Sequence, residues 1–220
     1  YGKYEDKFKI VENNYIQNST SKIKITNFDS LEKIDLKNID IIIDSSGKKE
    51  DIKLLKNLPV IAIFLTHPNN EADINVILGV NEKDLNPNIH KIISTSSCNA
   101  TALLPALKLI NDKKEILCGD ILTVHPLLNH QRVLDGSFVK SDTRDVNCNF
   151  EFGRSSTQNI IPNKTTTIKA CSFVLPNINQ NLISSSSLRV PTDTVGAINV
   201  SLFTKEKSTK NEIIELFEEY

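Results

Sequence analysis

A β-branched run, Ile92-Ile93, leads into Ser96-Ser97-Cys98-Asn99-Ala100-Thr101, and an apolar-rich stretch over residues 102–110 follows. This order predicts a strand, a tight turn and a helix, with Cys98 just ahead of the helix's first turn. The placement constrains both fold and chemistry. Unpaired amide N–H groups and the positive end of the helix dipole favour the thiolate, which is the nucleophilic form of cysteine. The alternative is a small buried cysteine that fills space, and this stretch alone leaves both open.

The flanking sequence supplies the frame. Residues 8–11 and 22–26 alternate and predict two short strands of a hairpin or meander, joined by a polar, Asn/Ser-rich connection. Ile41-Ile42-Ile43 predicts a strand running through Asp44 into Ser45-Ser46-Gly47, where glycine permits a turn. Residues 49–58 predict a short charged helix with Ile52 and Leu55 on its inner face. Residues 59–64 form a continuous apolar run, the pattern of a strand covered on both faces. Residues 78–81 and 91–94 are further short apolar pieces. Strands alternating with helices predict an α/β arrangement with a mostly parallel sheet.

Beyond the Cys98 helix the pattern changes. A strand is predicted over 116–125, a long polar loop over 136–151 and a helix over 165–174. Two strands, 182–190 and 195–203, are expected to pair across Pro191-Thr192-Asp193. A closing helix over 207–220 places Ile213, Ile214 and Phe217 on one face. This half reads as α+β with a mostly antiparallel sheet. The expected division is therefore 1–97 and 98–220, with Cys98 in the cleft between them.

Charge and cysteine usage exclude several function classes. Lys+Arg 26 against Asp+Glu 27 leaves a net charge of -1, without the basic excess of a nucleic-acid binder. No apolar run approaches the roughly 20 residues of a membrane helix, and no signal-peptide pattern is seen. Cys98, Cys118, Cys148 and Cys171 are scattered, with no CxxC pair or Cys/His ligand spacing, so neither a metal site nor a disulfide framework is expected. A reducing cytoplasm is the expected compartment. The sequence starts at Tyr1 and contains no methionine, and it reads as a piece of a longer product.

His125 ends the strand that follows the Cys98 helix, 27 residues after Cys98. A helix with an antiparallel return can bring the two into one cleft, where an imidazole stabilises a thiolate and moves protons. The pair alone does not name a reaction. Thr123-Val124-His125, Gln131-Arg132-Val133-Leu134-Asp135-Gly136, Gly153-Arg154-Ser155-Ser156-Thr157-Gln158-Asn159-Ile160-Ile161-Pro162 and Leu188-Arg189-Val190-Pro191-Thr192 follow in order. With Ser96-Ser97-Cys98, Gly79-Val80-Asn81 and Tyr1-Gly2-Lys3-Tyr4, they resemble phosphorylating glyceraldehyde-3-phosphate dehydrogenase over essentially the whole chain.

The resemblance implies a partial Rossmann-type NAD-binding domain (1–97) followed by a catalytic domain (98–220). It implies that Cys98 attacks the aldehyde carbon, with His125 as general base, and that hydride passes to NAD (NADP being an alternative). Inorganic phosphate then releases an acyl phosphate from the thioester, a step of glycolysis and gluconeogenesis. Arg189 resembles the substrate-phosphate arginine; its alternative is a surface ion pair. Thr165 and Thr166 resemble the pair lining the attacking-phosphate site, and Thr165 could equally cap a helix. Ser97 would add a hydroxyl to the anion site, and Gly47 and Thr66 sit where the family contacts the cofactor. A sugar-phosphate aldehyde, inorganic phosphate and a homotetramer are the implied partners.

The sequence also departs from the family. Asn99-Ala100-Thr101-Ala102 replaces Thr-Thr-Asn-Cys after the nucleophile, with Asn99 a possible phosphate donor. Leu127-Leu128-Asn129-His130 replaces the threonines after the histidine, with His130 a partial substitute. Thr165-Thr166 replaces Thr-Gly, and the loop after Gly136 is longer. No GxGxxG occurs; the resemblance places that unit before Tyr1 and a closing strand and helix after Tyr220, so little activity is expected of these 220 residues alone. The rival readings are an erythrose-4-phosphate dehydrogenase, a non-catalytic homologue acting as a binding protein, and a thiol hydrolase or acyltransferase.

Overall fold

The computed structural model describes residues 6–12, 14–28, 33–46, 52–128, 131–136 and 153–219. Gly47, His130, Cys148 and most of the predicted loop 136–151 lie outside the described residues. The chain divides into two compact units, 1–39 and 40–220.

The first unit is a three-stranded antiparallel meander of β1 (Lys9–Val11), β2 (Tyr15–Gln17) and β3 (Lys22–Lys24). The middle strand was not expected: Tyr15-Ile16-Gln17 is too short to stand out among polar neighbours. Its register lines up Ile10, Ile16 and Ile23 on one face.

The second unit begins with a parallel sheet in the order β4 (Ile41–Asp44), β5 (Ala62–Leu65), β7 (Ile92–Ser94) and β6 (Ile74–Asn75). The short helix α1 (Ile52–Lys56) buries Ile52 and Leu55, as their spacing predicts. One expectation is corrected here. Ile61 is exposed and β5 begins at Ala62, three residues into the predicted run, with only Ile63 and Leu65 fully buried. The short apolar piece 78–81 is a turn, where Gly79 has a φ of 80° that a Cβ would oppose.

Helix α2 (Cys98–Lys114) follows β7 and buries Ala100, Leu103, Leu104 and Leu107. Pro105 lies inside it and cannot donate to the Thr101 carbonyl. The second sheet runs in the order β11 (Ala197–Thr204), β8 (Ile116–Pro126), β10 (Ile183–Val190) and β9 (Ile161–Asn163). β8–β10 is parallel and the two outer pairings are antiparallel, so the sheet is mostly antiparallel as expected. The predicted pairing of β10 with β11 is corrected: each pairs with β8, from opposite sides.

α2 packs with α3 (Thr167–Val174) and α4 (Lys210–Glu218). The shared core holds Leu103, Leu104 and Leu107 of α2, Ile168 and Cys171 of α3, and Ile116, Ile121 and Ile183 of the sheet. Ile77, from the connection after β6, inserts into the same core and ties the parallel sheet to the helical layer. Burial pushes the Cys171 thiol up to about 12. No helix among the described residues is long and apolar enough to cross a membrane.

Candidate active site

The site is built where β7 hands over to α2. Ile92, Ile93 and Ser94 are buried, and the chain then turns through Thr95 and Ser96. Ser96 has a φ of 64°, a left-handed conformation that is unusual for a residue with a Cβ. Ser97 is extended and is the N-cap: the Ala100 N–H donates to its hydroxyl at 3.4 Å. Cys98 is therefore the first helical residue, one position further into the helix than the sequence predicts, and its thiol is exposed. Asn99 follows it in the same turn, half-buried.

His125 is the penultimate residue of β8. It alternates onto the face that carries buried Ile121 and Thr123, toward the helical layer. Its Nε2 lies 3.9 Å from Cys98 Sγ. Its Nδ1 lies 2.8 Å from the Pro126 carbonyl oxygen, which can only accept. Nδ1 thus carries the proton, and in the neutral ring Nε2 presents a lone pair to the thiol. The 3.9 Å separation exceeds a charge-assisted hydrogen bond, and such pairs tighten once a substrate is held.

Arg189 occupies the β10 position paired with His125 in the parallel β8–β10 ladder. Paired residues share a face, so the guanidinium emerges on the side of the thiol–imidazole pair. Arg189 is half-buried, with Nε and Nη1 shielded from solvent.

The other predicted residues that the structure describes are held by local partners. Thr165 and Thr166 lie at the start of α3; Thr166 is the N-cap residue, and the Thr165 hydroxyl accepts the Thr167 N–H at 3.2 Å. Thr66, at the end of β5, donates both its N–H and its hydroxyl to the Asp44 carbonyl, at 3.0 and 3.1 Å. Gly47 and His130 lie outside the described residues.

Three contributors were not read from the sequence: the Pro126 carbonyl, the left-handed Ser96 and the buried hydroxyl of Ser94. A carbonyl has no sequence signature, and Ser96 carries none of the Gly or Asn that usually marks a positive φ.

The carboxyl ends of β4 and β5 offer a test for a nucleotide cofactor. Asp44 Oδ1 accepts the Ser46 N–H at 2.9 Å, while Asp44 Oδ2 and His67 Nδ1 are buried without a partner among the described residues. Ligands of open parallel sheets sit outside these strand ends. A carboxylate acceptor and a ring nitrogen suit the hydroxyl-bearing part of a nucleotide. The sequence has no Gly-rich turn of the kind that cradles a pyrophosphate, so the described residues fit the sugar end only.

Comparison with known proteins gives a consistent result. Residues 97–220 match the family model for the C-terminal domain of glyceraldehyde 3-phosphate dehydrogenase. Glyceraldehyde-3-phosphate dehydrogenase 2 of Streptomyces avermitilis is 32% identical over 183 residues, covering 82% of this chain and 52% of that protein. Glyceraldehyde-3-phosphate dehydrogenase 1 of Bacillus subtilis is 32% identical over 178 residues, covering 80% and 50% respectively. Glyceraldehyde-3-phosphate dehydrogenase of Geobacillus stearothermophilus is 29% identical over 178 residues, again covering 80% and 50%. The chain thus spans about half the length of the curated relatives it matches. A family match over more than half of the chain shows that it belongs to the glyceraldehyde 3-phosphate dehydrogenase family.

Proposed function

We propose that this chain carries the thiol chemistry of an NAD-dependent, phosphorylating oxidation of glyceraldehyde 3-phosphate to 1,3-bisphosphoglycerate. The observation that carries the reading is the contact of Cys98 Sγ with His125 Nε2, with the proton held on Nδ1 by the Pro126 carbonyl. The Cys98 sulfur bonds to the aldehyde carbon, and the thiol proton passes by way of His125 Nε2 to the former carbonyl oxygen, giving a thiohemiacetal and leaving Nε2 free. A bound nicotinamide dinucleotide supplies the hydride acceptor. His125 then takes the hydroxyl proton as the thioester forms. Inorganic phosphate bonds to the carbonyl carbon, the carbon–sulfur bond breaks, and Cys98 returns as thiolate.

Arg189 holds the substrate phosphate in this scheme, since a planar guanidinium matches it with paired N–H donors. Ser97, Asn99, Thr165, Thr166 and His130 line the anion sites. Asp44, His67 and Thr66 would hold the cofactor's sugar end, together with Gly47. The functional division falls at Cys98, with 1–97 serving the cofactor and 98–220 the chemistry; the family match beginning at residue 97 supports it. NAD rather than NADP, a homotetramer and a cytoplasmic setting complete the reading.

The test is NADH formation from glyceraldehyde 3-phosphate and NAD, by a protein that joins this chain to a dinucleotide-binding βαβ unit. Turnover that needs inorganic phosphate and is lost in Cys98→Ser is expected. Turnover without phosphate, or retained in Cys98→Ser, would contradict the reading.

A further inference from the structure

Ser94 is the last residue of β7 and is completely buried. Its backbone sits between two strands, paired with Leu65 on one side and Asn75 on the other, and its carbonyl accepts the Val76 N–H at 2.8 Å. Its hydroxyl does two further things. It donates to the His67 carbonyl at 2.9 Å, and it accepts the Ser96 N–H at 3.2 Å.

The second bond bears on Cys98. Ser96 must hold a φ of 64° for the chain to reverse into α2. A residue with a Cβ resists that conformation, and the usual relief is a local hydrogen bond from its own side chain. Ser96 has no such relief: its hydroxyl is buried and makes no hydrogen bond among the described residues. What holds the turn is the backbone N–H of Ser96 on the Ser94 hydroxyl, with Thr95 anchored by its N–H and hydroxyl to the Leu65 carbonyl, at 2.9 and 3.1 Å. The next residue, Ser97, is the N-cap, and the one after is Cys98. An error in this turn is therefore passed directly to the thiol.

We propose that Ser94 is a positioning residue for the nucleophile: its hydroxyl fixes Ser96 in the left-handed turn that sets Cys98 at the head of α2 and against His125. The proposal rests on the reading of Cys98 as the reactive thiol. It predicts that the need for Ser94 diminishes once residue 96 adopts a positive φ freely, which glycine does.

The test is alkylation of the full 220-residue chain with iodoacetamide near neutral pH, each cysteine followed by peptide mass spectrometry. Cys118, exposed on β8, is the internal reference, and buried Cys171 reports on the core. In the unaltered chain Cys98 reacts faster than Cys118, and Cys171 stays unmodified. Ser94→Ala leaves the Ser96 N–H unpaired and should lower the Cys98 rate relative to Cys118 about tenfold, with Cys171 still protected. Adding Ser96→Gly to Ser94→Ala should restore most of that rate. An unchanged Cys98 to Cys118 ratio in Ser94→Ala would overturn the proposal. So would a fall accompanied by Cys171 modification, which would mean that Ser94 holds the core rather than the turn, or a failure of Ser96→Gly to restore the rate. If Cys98 in the unaltered chain reacts no faster than Cys118, the thiol reading itself fails and takes this inference with it.

Discussion

At the residue scale, His125 and Cys98 come to the site by different routes. Cys98 is placed by its own neighbours in sequence, through the Ser97 cap and the turn before it. His125 is placed by the sheet, and its ring is oriented by the carbonyl of the next residue. Two predictions follow from this difference. His125→Ala removes the proton acceptor and should slow turnover about a hundredfold or more, measured as NADH formation, while leaving the urea midpoint nearly unchanged. Ser97→Ala removes a helix cap and should cost about 1 kcal/mol in urea unfolding. The Cys98–His125 pair was legible because two ordered motifs carry it. Ser94 and the left-handed Ser96 were not, because a buried hydroxyl and a positive φ arise from neighbours distant in sequence, such as His67 and Leu65.

At the element scale, the boundaries of β8, α2 and α3 follow closely from hydrophobic pattern and caps. The pairing of β10 with β11 did not. Pro191-Thr192-Asp193 marks a turn, but turn chemistry cannot say that β8 lies between the strands it joins. β9 was missed because Ile161-Pro162-Asn163 is three residues long and includes a proline, an edge position that Pro tolerates. The connection between β5 and β7 is held by Asp73. Burial disfavours its charge, but the N–H groups of Ile92 and Lys91 and the ammonium of Lys56 outweigh this and hold the carboxyl below its ordinary value of 3.8. A lowered folded value means that this stabilisation is present above pH 3.8 and is lost as pH falls through the folded value. Asp73→Asn should cost about 2 kcal/mol at pH 7 and flatten the acid limb of a thermal-stability profile measured from pH 5 to pH 2.

At the scale of the whole molecule, one core joins α2, α3 and the second sheet, and Cys171 is fully buried in it. Its folded thiol titrates near 12 against an ordinary 9.0, so stability from this group is complete below pH 9 and declines as the unfolded thiol ionises above it. The stability of the chain should fall by about 1.4 kcal/mol per pH unit from this group between pH 9 and 12. Cys171→Ala should remove that contribution to the slope, read from urea midpoints. The family was legible in the sequence because its motifs are local and ordered along the chain.

The most direct test of the central claim, that Cys98 is the nucleophile for an aldehyde, needs no cofactor. It is iodoacetamide labelling of the chain with and without glyceraldehyde 3-phosphate, with glycerol 3-phosphate, which has no aldehyde, as the control. Rapid labelling of Cys98 that glyceraldehyde 3-phosphate suppresses and glycerol 3-phosphate does not, with Cys118 unaffected by either, is the predicted result. Equal labelling of Cys98 and Cys118, indifferent to the aldehyde, would contradict it.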